Sequence, residues 1–449
     1  MISLKKTINQ LNNMQTIALG FAVIILAGAC LLTLPVSSRD GSWTGFADAL
    51  FTATSATCVT GLVTLDTWTH WNLFGQLLIL LMIQVGGLGF ITIGVLLSMM
   101  LHKKIGLRQR GMVSESMNAI QMGGVVGFVK RVLIGTAAVE GIGALLLSVR
   151  FCQELGFFRG VYYGIFHSIS AFCNAGFDLM GYQAPFNSLV NYSGDWLVNL
   201  TLVGLIVTGG IGFLVWDDLL KNRWHFSRYR LHTKIVLVTT AVLIVGGTIL
   251  FYLFERDNLM KDMGAGEAFL CSLFASVTTR TAGFNTTDIG AASEASKLLN
   301  VILMYIGGSP GSTAGGIKTT TIVIFLLYMR SMFQKTKNIS ICKRSLEPDA
   351  IKRATAIAGT NMFLALTAAL ILCGIQSLPL EDVLIETFSA ISTVGMSAGI
   401  TREFHLISKV VVMILMFCGR VGTLSVALSF TERRKASPIE YPEEKILIG

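Results

Sequence analysis

Apolar residues in this chain form long runs that alternate with shorter stretches rich in Ser, Thr, Ala and Gly. The order of long, short and long run recurs four times, at 14–36, 45–60 and 71–101; 127–150, 161–175 and 195–220; 233–254, 266–282 and 297–329; and 351–374, 380–394 and 406–430. A helix of about 20 apolar residues crosses the hydrocarbon core of a membrane, and a clearly shorter one does not. The pattern predicts an all-α polytopic membrane protein with eight transmembrane helices and four re-entrant pore helices.

The four short runs end in related motifs, each closed by a glycine. These motifs occupy 55–61, 170–176, 277–283 and 389–395. A second glycine mark follows each motif, at Gly86, Gly209, Gly307 and Gly419, with an outer insertion near 181–194 in the second repeat. Self-similarity of this kind indicates repeated structural units. We expect four helix, pore-loop, helix repeats around a pseudo-fourfold pore, at 1–111, 112–228, 229–340 and 341–449, the last with a cytoplasmic tail.

The glycine motifs are suited to holding a cation. Non-helical backbone inside a membrane must be buried in protein or line a water-filled path. Rings of backbone carbonyls can replace the hydration shell of an ion, and glycine permits the backbone that aligns them. A short helix entering from outside also points its negative C-terminal end at this place. The predicted potassium-binding filter residues are Val59, Thr60, Gly61, Asn174, Ala175, Gly176, Thr281, Ala282, Gly283, Thr393, Val394 and Gly395.

The third repeat contains a second irregular stretch, 307–319, with one Pro and five Gly inside an apolar run. Its spacing differs by one residue from the G-x-x-x-x-G-K-[ST] motif of a phosphate-binding loop, and it does not follow a strand, so we do not expect it to bind a nucleotide. A broken helix at membrane depth is tolerated beside a cavity, which predicts a flexible gating loop below the filter. The predicted gating residues are Gly307, Gly308, Ser309, Pro310, Gly311, Ser312, Thr313, Ala314, Gly315, Gly316, Lys318 and Arg420.

Charged and polar side chains near this stretch have separate interpretations. Intramembrane charge is costly and usually functional. Arg420 stands where other repeats have glycine, so we predict that it faces the axis, binds carbonyls of the loop and forms a positive barrier. Lys318 either serves this loop or extends to the cytoplasmic surface. Arg280 is expected to point away from the axis and hold its short helix, and His167 to be a packed polar residue.

Composition agrees with a membrane location. Of 449 residues, 53% are hydrophobic and only 14% are charged. The net charge of +9 is spread over basic blocks between the apolar runs, not gathered in a nucleic-acid-binding domain. The positive-inside rule then places both termini in the cytoplasm, with acidic residues prevailing outside, where they would attract cations. The eight cysteines show no metal-binding spacing, and no catalytic constellation is evident, so we expect no enzyme.

The glycine motifs, the 307–319 loop and Arg420 together resemble the Trk/Ktr/HKT superfamily of potassium transporters, and most nearly the membrane subunits of bacterial Ktr uptake systems. The resemblance covers nearly the whole chain. It implies potassium uptake across the bacterial plasma membrane and a homodimer with one pore in each protomer. It also implies a cytoplasmic regulatory ring of RCK domains that bind ATP or ADP, no covalently bound cofactor, and sodium as a candidate activating ion.

Two other interpretations stay open. An alternating-access transporter coupled to cations or protons would use a carboxylate inside the membrane, for which Glu140 is the candidate. A membrane-embedded enzyme or scaffold would tolerate replacement of the four glycines without an ionic effect.

Overall fold

A computed structural model describes residues 12–101, 111, 124–223, 225–335, 339–341, 344–423 and 444. Its helices in chain order are α1 Asn13–Thr33, α2 Phe46–Cys58, α3 Thr67–His70, α4 Leu73–Leu88, α5 Phe90–Met100, α6 Val125–Leu155, α7 Phe157–Phe172, α8 Trp196–Gly210, α9 Phe213–Asn222, α10 Leu231–Glu255, α11 Ala265–Thr278, α12 Glu294–Tyr305, α13 Thr319–Phe333, α14 Pro348–Ile375, α15 Leu380–Ser392 and α16 Leu406–Val421. Two short antiparallel strands, β1 Ser340–Ile341 and β2 Arg344–Ser345, join the third and fourth repeats.

The first helix of each repeat is long and strongly apolar. Helices α1, α6, α10 and α14 each have the length and composition needed to cross a membrane. Large apolar side chains on these helices point away from the protein, as Val242 and Val245 do on α10, where they are 64% and 59% exposed. In water such an exposed apolar surface would promote aggregation, whereas in a membrane it contacts the lipid chains.

The second helix of each repeat is short and enclosed by protein. Helices α2, α7, α11 and α15 lie where the short runs predict them. Their C-terminal halves are almost completely buried. Three of them carry an acidic residue in the first turn, namely Asp48, Glu267 and Glu381. A negative charge at this end interacts favourably with the positive end of the helix dipole.

The returning helix is broken in the first three repeats, which the apolar pattern predicted only for the third. Gly89 separates α4 from α5, and α8 and α9 meet at 96° across Gly212. Helix α16 ends before Gly422. All three glycines have positive φ, which ends a helix because other residues resist that conformation. The long runs at 71–101 and 195–220 therefore each form two helices.

The repeats close into a ring. Each returning helix contacts the short helix of the next repeat: α4 touches α7, α8 touches α11, and α12 touches α15. Helix α16 of the last repeat touches α2 of the first. Within the described residues, four helices pass as membrane spans, or five if the bent pair counts as one, so the predicted total of eight crossings stays a prediction.

Candidate functional site

The four motif glycines meet at the centre of the ring. A Cβ added to Gly61 would lie 3.1 Å from the Cα of Gly176 and 3.2 Å from that of Gly395. One added to Gly283 would lie 3.2 Å from the Cα of Gly176 and 3.1 Å from that of Gly395. Each glycine thus adjoins those of the preceding and following repeats, and the structure brings together all four motifs that the sequence singled out.

A carbonyl oxygen precedes each of these glycines and faces the glycine of the neighbouring repeat. A Cβ on Gly61 would lie 2.6 Å from the Ala175 oxygen, and one on Gly176 would lie 2.8 Å from the Ala282 oxygen. A Cβ on Gly283 would lie 2.5 Å from the Val394 oxygen, and one on Gly395 would overlap the Thr60 oxygen. The same relation thus continues around the ring. Any side chain here would overlap these oxygens, so glycine is required for the close approach.

The backbone two residues before each glycine has an unusual conformation. Val59, Asn174, Thr281 and Thr393 have φ values of 57°, 58°, 71° and 51°. Such values are rare outside glycine and are outliers for β-branched Val and Thr. Strain of this kind costs about 1–3 kcal/mol per residue and marks functional segments. The same conformation therefore occurs at the same register in all four repeats.

Several polar side-chain atoms at this level have no hydrogen-bond partner in the part of the chain that the structure describes. The hydroxyls of Thr60, Thr281 and Thr393 and both amide atoms of Asn174 are buried without a hydrogen bond among the described residues. A buried oxygen left unpaired costs about 1–3 kcal/mol. A partly dehydrated cation would be stabilised by such oxygens, so the residues present fit a monovalent cation as cargo.

Hydroxyl groups on the short helices hold the motif segments from behind. Ser55 and Ser389 accept hydrogen bonds from the N–H groups of Gly61 and Gly395, both at 3.0 Å. In the other repeats the hydroxyls donate instead. Ser170 binds the Phe177 carbonyl at 2.7 Å, and Thr278 binds the Phe284 carbonyl at 2.6 Å. Sequence reasoning missed this role, although serine stands six residues before the glycine in three motifs.

Outside the glycine ring lies a vestibule of about 140 Å³. Three carboxylates line it, Asp66, Asp178 and Asp288, together with the guanidinium of Arg402. Burial raises the pKa of the Asp178 carboxyl to about 7, and the nearby Asp66 charge adds to this effect. Three acidic side chains and one basic side chain thus share this vestibule, and its position on the outer side of the membrane stays a prediction.

The outer insertion of the second repeat crosses this vestibule. The Phe186 N–H donates to the Asp66 carboxylate of the first repeat at 2.9 Å, and the Phe186 ring lies 4.6 Å from the Arg402 guanidinium of the fourth. The Leu189 N–H donates to the Asn285 carbonyl of the third repeat at 2.9 Å. One segment therefore joins all four repeats above the ring.

Below the ring, the irregular loop of the third repeat covers 306–318 and packs against the broken helices. The Ser309 N–H donates to the Gly210 carbonyl at 3.0 Å, and the Phe213 N–H donates to the Gly311 carbonyl at 2.8 Å. These bonds satisfy backbone groups that the breaks leave free. The loop thus rests on the break between α8 and α9.

Arg420 fastens the loop from the opposite side. Its guanidinium donates to the carbonyl of Thr313 in the loop. It also donates to the carbonyls of Gly86 and Gly87, where α4 approaches its break. The predicted contact between Arg420 and the loop carbonyls is present, and the bonds to the first repeat were not foreseen.

Lys318 turns back onto its own loop. Its ammonium donates to the carbonyls of Ala314 at 2.7 Å and Gly315 at 3.2 Å. A Cβ on Gly315 would overlap the side chain of Thr393, so this part of the loop lies directly below the glycine ring. Of the two interpretations of Lys318, the structure therefore agrees with a side chain that binds the loop and not with one that extends to the cytoplasmic surface. Arg420 and Lys318 both line a cavity of about 510 Å³ on this side.

His167 and Arg280 were expected to be a packed polar residue and an anchor for its short helix, respectively. His167 is fully buried with both ring nitrogens hydrogen-bonded, which confirms a packed polar residue. Arg280 is only 7% exposed, but among the described residues its side chain forms no hydrogen bond or ion pair. The expected anchoring contact of Arg280 is therefore absent.

A ring of four helical repeats with a central carbonyl site defines the class of membrane cation transport proteins, and the wider comparisons agree. The fold matches the crystal structure of the potassium transporter TrkH from Vibrio parahaemolyticus with a TM-score of 0.71 at 17% identity, over 94% of this chain and 85% of that one. At this identity the likeness concerns the fold alone.

Residues 5–438 match the family TrkH, described as Cation transport protein, and the chain belongs to this family. It is 41% identical to the potassium/sodium uptake protein NtpJ of Enterococcus hirae, over 99% of both chains. It is 39% identical to the Ktr system potassium uptake protein B of Bacillus subtilis, over 97% of this chain and 96% of that one. These findings confirm the family resemblance and the prediction of a transporter rather than an enzyme.

Proposed function

We propose that this chain is a channel-like potassium uptake transporter. The observation that carries the proposal is the ring in which Thr60, Ala175, Ala282 and Val394 each present a carbonyl against a neighbouring glycine. Carbonyls held in this way replace the water around a monovalent cation. The names of its relatives, which contain potassium or potassium/sodium uptake, support potassium as cargo with sodium as a competing or activating ion.

The ion path follows the cavities. Cations gather in the acidic vestibule, lose part of their water at the twelve filter residues, and enter the 510 Å³ cavity past the loop. An inside-negative potential supplies about 2.3 kcal/mol per 100 mV for each inward charge, so the path needs no hydrolysis of nucleotide. One glycine per repeat makes a short filter, from which we expect looser selectivity than in a dedicated potassium channel.

The loop and Arg420 form the gate in this proposal. The guanidinium links the loop to the first repeat, so the loop can move aside only when Arg420 releases the Thr313 carbonyl. Relatives named as parts of a Ktr system support the view that further components act with this chain. We place the chain in the plasma membrane as a homodimer with both termini cytoplasmic, bound to a nucleotide-sensing RCK ring that moves the loop.

The test is ion flux into proteoliposomes with potassium, rubidium and sodium, comparing the wild type with Gly283→Ser. We expect the sodium-to-potassium ratio to rise, because a Cβ at this position overlaps the Val394 carbonyl. Gly374→Ala is the matched control, since Gly374 lies in α14 with open space around it. An unchanged ratio in Gly283→Ser would reject the filter.

A proton-coupled, alternating-access mechanism is the second candidate, favoured by one partly buried contact. The Glu140 carboxylate accepts a hydrogen bond from Gln84 at 3.2 Å and lies 4.0 Å from the Cys173 sulfur, next to the second filter motif. Uptake that depends on a proton gradient in the wild type but not in Glu140→Gln would favour this mechanism over a channel.

A further inference from the structure

The short helices carry one more feature at a shared register. Nine residues before the filter glycine, the four repeats have Thr52, His167, Phe274 and Glu386. All four side chains are at most 3% exposed, so each is enclosed behind the filter. Two of them form hydrogen bonds through their side chains: His167 of the second repeat through its ring nitrogens, and Glu386 of the fourth through its carboxylate.

Glu386 holds the segment that follows Gly395. Its carboxylate accepts hydrogen bonds from the hydroxyls of Ser397 and Thr401, the latter at 2.6 Å. The Ser397 hydroxyl in turn accepts the Gly399 N–H at 2.8 Å. Among the described residues no basic side chain pairs with Glu386. The carboxylate is therefore committed to this one segment, whose residues line the vestibule.

His167 makes the corresponding contact in the second repeat. Its Nδ1 atom donates to the Tyr163 carbonyl at 2.8 Å, which leaves Nε2 as an acceptor. Nε2 accepts the Leu179 N–H at 3.2 Å. Leu179 follows Gly176 by three residues, so the imidazole fixes the chain immediately outside the filter.

The other two repeats lack this device. Phe274 has no polar atom, and the Thr52 hydroxyl is buried without a hydrogen-bond partner among the described residues. Gly61 and Gly283 each adjoin both Gly176 and Gly395. The two repeats that carry the bond therefore lie across the ring from each other.

We propose that His167 and Glu386 are positioning residues for ion selectivity, each fixing the post-glycine segment of its repeat and thereby the direction of the filter carbonyls. The inference rests on the proposed filter. Bonds to a carboxylate are stronger than neutral ones, and a buried partner left unpaired is costly, so each segment has one favoured position. Selectivity depends on how many carbonyls reach the ion and with what field, which changes when a segment shifts.

The experiment measures potassium, rubidium and sodium flux in proteoliposomes of the full chain. His167→Phe removes the acceptor, and His167→Gln restores an amide that can accept the Leu179 N–H. Ser397→Ala removes one donor to Glu386 with little change of volume, and Glu386→Leu removes the acceptor itself. Thr52→Val is the matched control at the same register, because its hydroxyl has no bond to lose.

We expect the sodium-to-potassium flux ratio to rise about threefold to tenfold in His167→Phe and Ser397→Ala, as for the loss of one hydrogen bond. His167→Gln should fall between His167→Phe and the wild type, and Thr52→Val should match the wild type. The half-saturating potassium concentration should rise more than the maximal rate falls, which general loss of folded protein would not produce.

Ser397→Ala decides the matter for the fourth repeat if Glu386→Leu does not fold. An unchanged ratio in Ser397→Ala and His167→Phe, while Gly283→Ser changes it, would overturn the positioning role and leave the filter standing. An unchanged ratio in all variants, Gly283→Ser included, would reject the filter and this inference with it.

Discussion

The glycine ring and the layer directly below it are built in opposite ways. In the ring, four segments at one register share a positive φ two residues before the glycine and a carbonyl directed at the next repeat. Below it, among the residues that the structure describes, the third repeat alone supplies a loop and the fourth alone supplies an arginine that binds it. The difference shows that the ring depends on equivalence among the repeats, whereas the lower layer depends on their divergence.

In the proposed function, this contrast separates two physical tasks. Surrounding an ion requires oxygens on all sides, which equal contributions from four repeats provide. Opening and closing requires one part to move against a fixed remainder, which a single loop held by a few hydrogen bonds provides. Changes in the ring should therefore alter which ion passes, and changes below it should alter how many pass.

Gly395→Ala should have the largest effect, because it breaks the equivalence of the ring. Its Cβ would overlap the Thr60 carbonyl, and φ at this position is 91°. Overlap and strain of a few kcal/mol correspond to a loss of potassium uptake on the order of 100-fold. Uptake in potassium-depleted cells measures this, with Gly359→Ala in α14 as the control. Normal uptake and selectivity in Gly395→Ala would contradict the close approach.

Arg420→Ala should come next and should act on rate alone. It removes the bonds to the Thr313, Gly86 and Gly87 carbonyls, so we expect flux to rise about tenfold with the same sodium-to-potassium ratio. Arg420→Lys keeps the charge but not the fork that spans several carbonyls. A flux in Arg420→Lys near that of Arg420→Ala would assign the effect to the fork. A changed ion ratio in Arg420→Ala would erase the distinction between the two layers.

Lys318→Met should give a smaller increase of the same kind. It removes two bonds within the loop, to Ala314 and Gly315, but leaves the loop fastened by Arg420. We expect about threefold higher flux, corresponding to one weak net hydrogen bond. Lys335→Met, an exposed lysine beyond α13, is the control. Equal flux in Lys318→Met and wild type would mean that the lysine does not hold the loop closed.

Acidification should have the smallest effect, through the vestibule, whose charged side chains differ among the repeats as those of the lower layer do. The Asp178 carboxyl, with its pKa raised to about 7, is charged at pH 8 and largely neutral at pH 6. Loss of a negative charge at the mouth lowers the local cation concentration, so the half-saturating potassium concentration should rise about twofold on acidification. Asp178→Asn should abolish this pH dependence, whereas Asp257→Asn on the outer surface should keep it. A pH dependence that persists in Asp178→Asn would assign it to another group.

Much of the ring could be predicted from the sequence, because local signals specify it. The glycines recur in matched motifs, and the short apolar runs that precede them end two to four residues after the helices do. The positive φ at Val59 and Thr393 could not be read in this way, since β-branched residues normally indicate the opposite. Ser55 and Ser389 accept hydrogen bonds from the N–H groups of the glycines that follow these two residues. The same φ recurs at Asn174 and Thr281 without such a bond among the described residues, so it belongs to the ring as a whole.

The layer below the ring was less predictable because its contacts are distant in sequence. Arg420 was identified by its replacement of a glycine, but its bonds to Gly86 and Gly87 span more than 300 residues. The breaks at Gly89 and Gly212 were missed because both runs remain apolar through them, and hydrophobicity does not register a change of direction. The buried, unpaired Arg280 has no physical explanation in the described residues.

The closure of the ring between Gly395 and Thr60 also has a consequence for synthesis in the cell. Chains are made from the N-terminus, and contacts distant in sequence form late. The first three repeats lack the last neighbour of the ring until the fourth has entered the membrane. The ring of four carbonyls on which the proposed filter depends is therefore complete only after the fourth repeat has folded against the first.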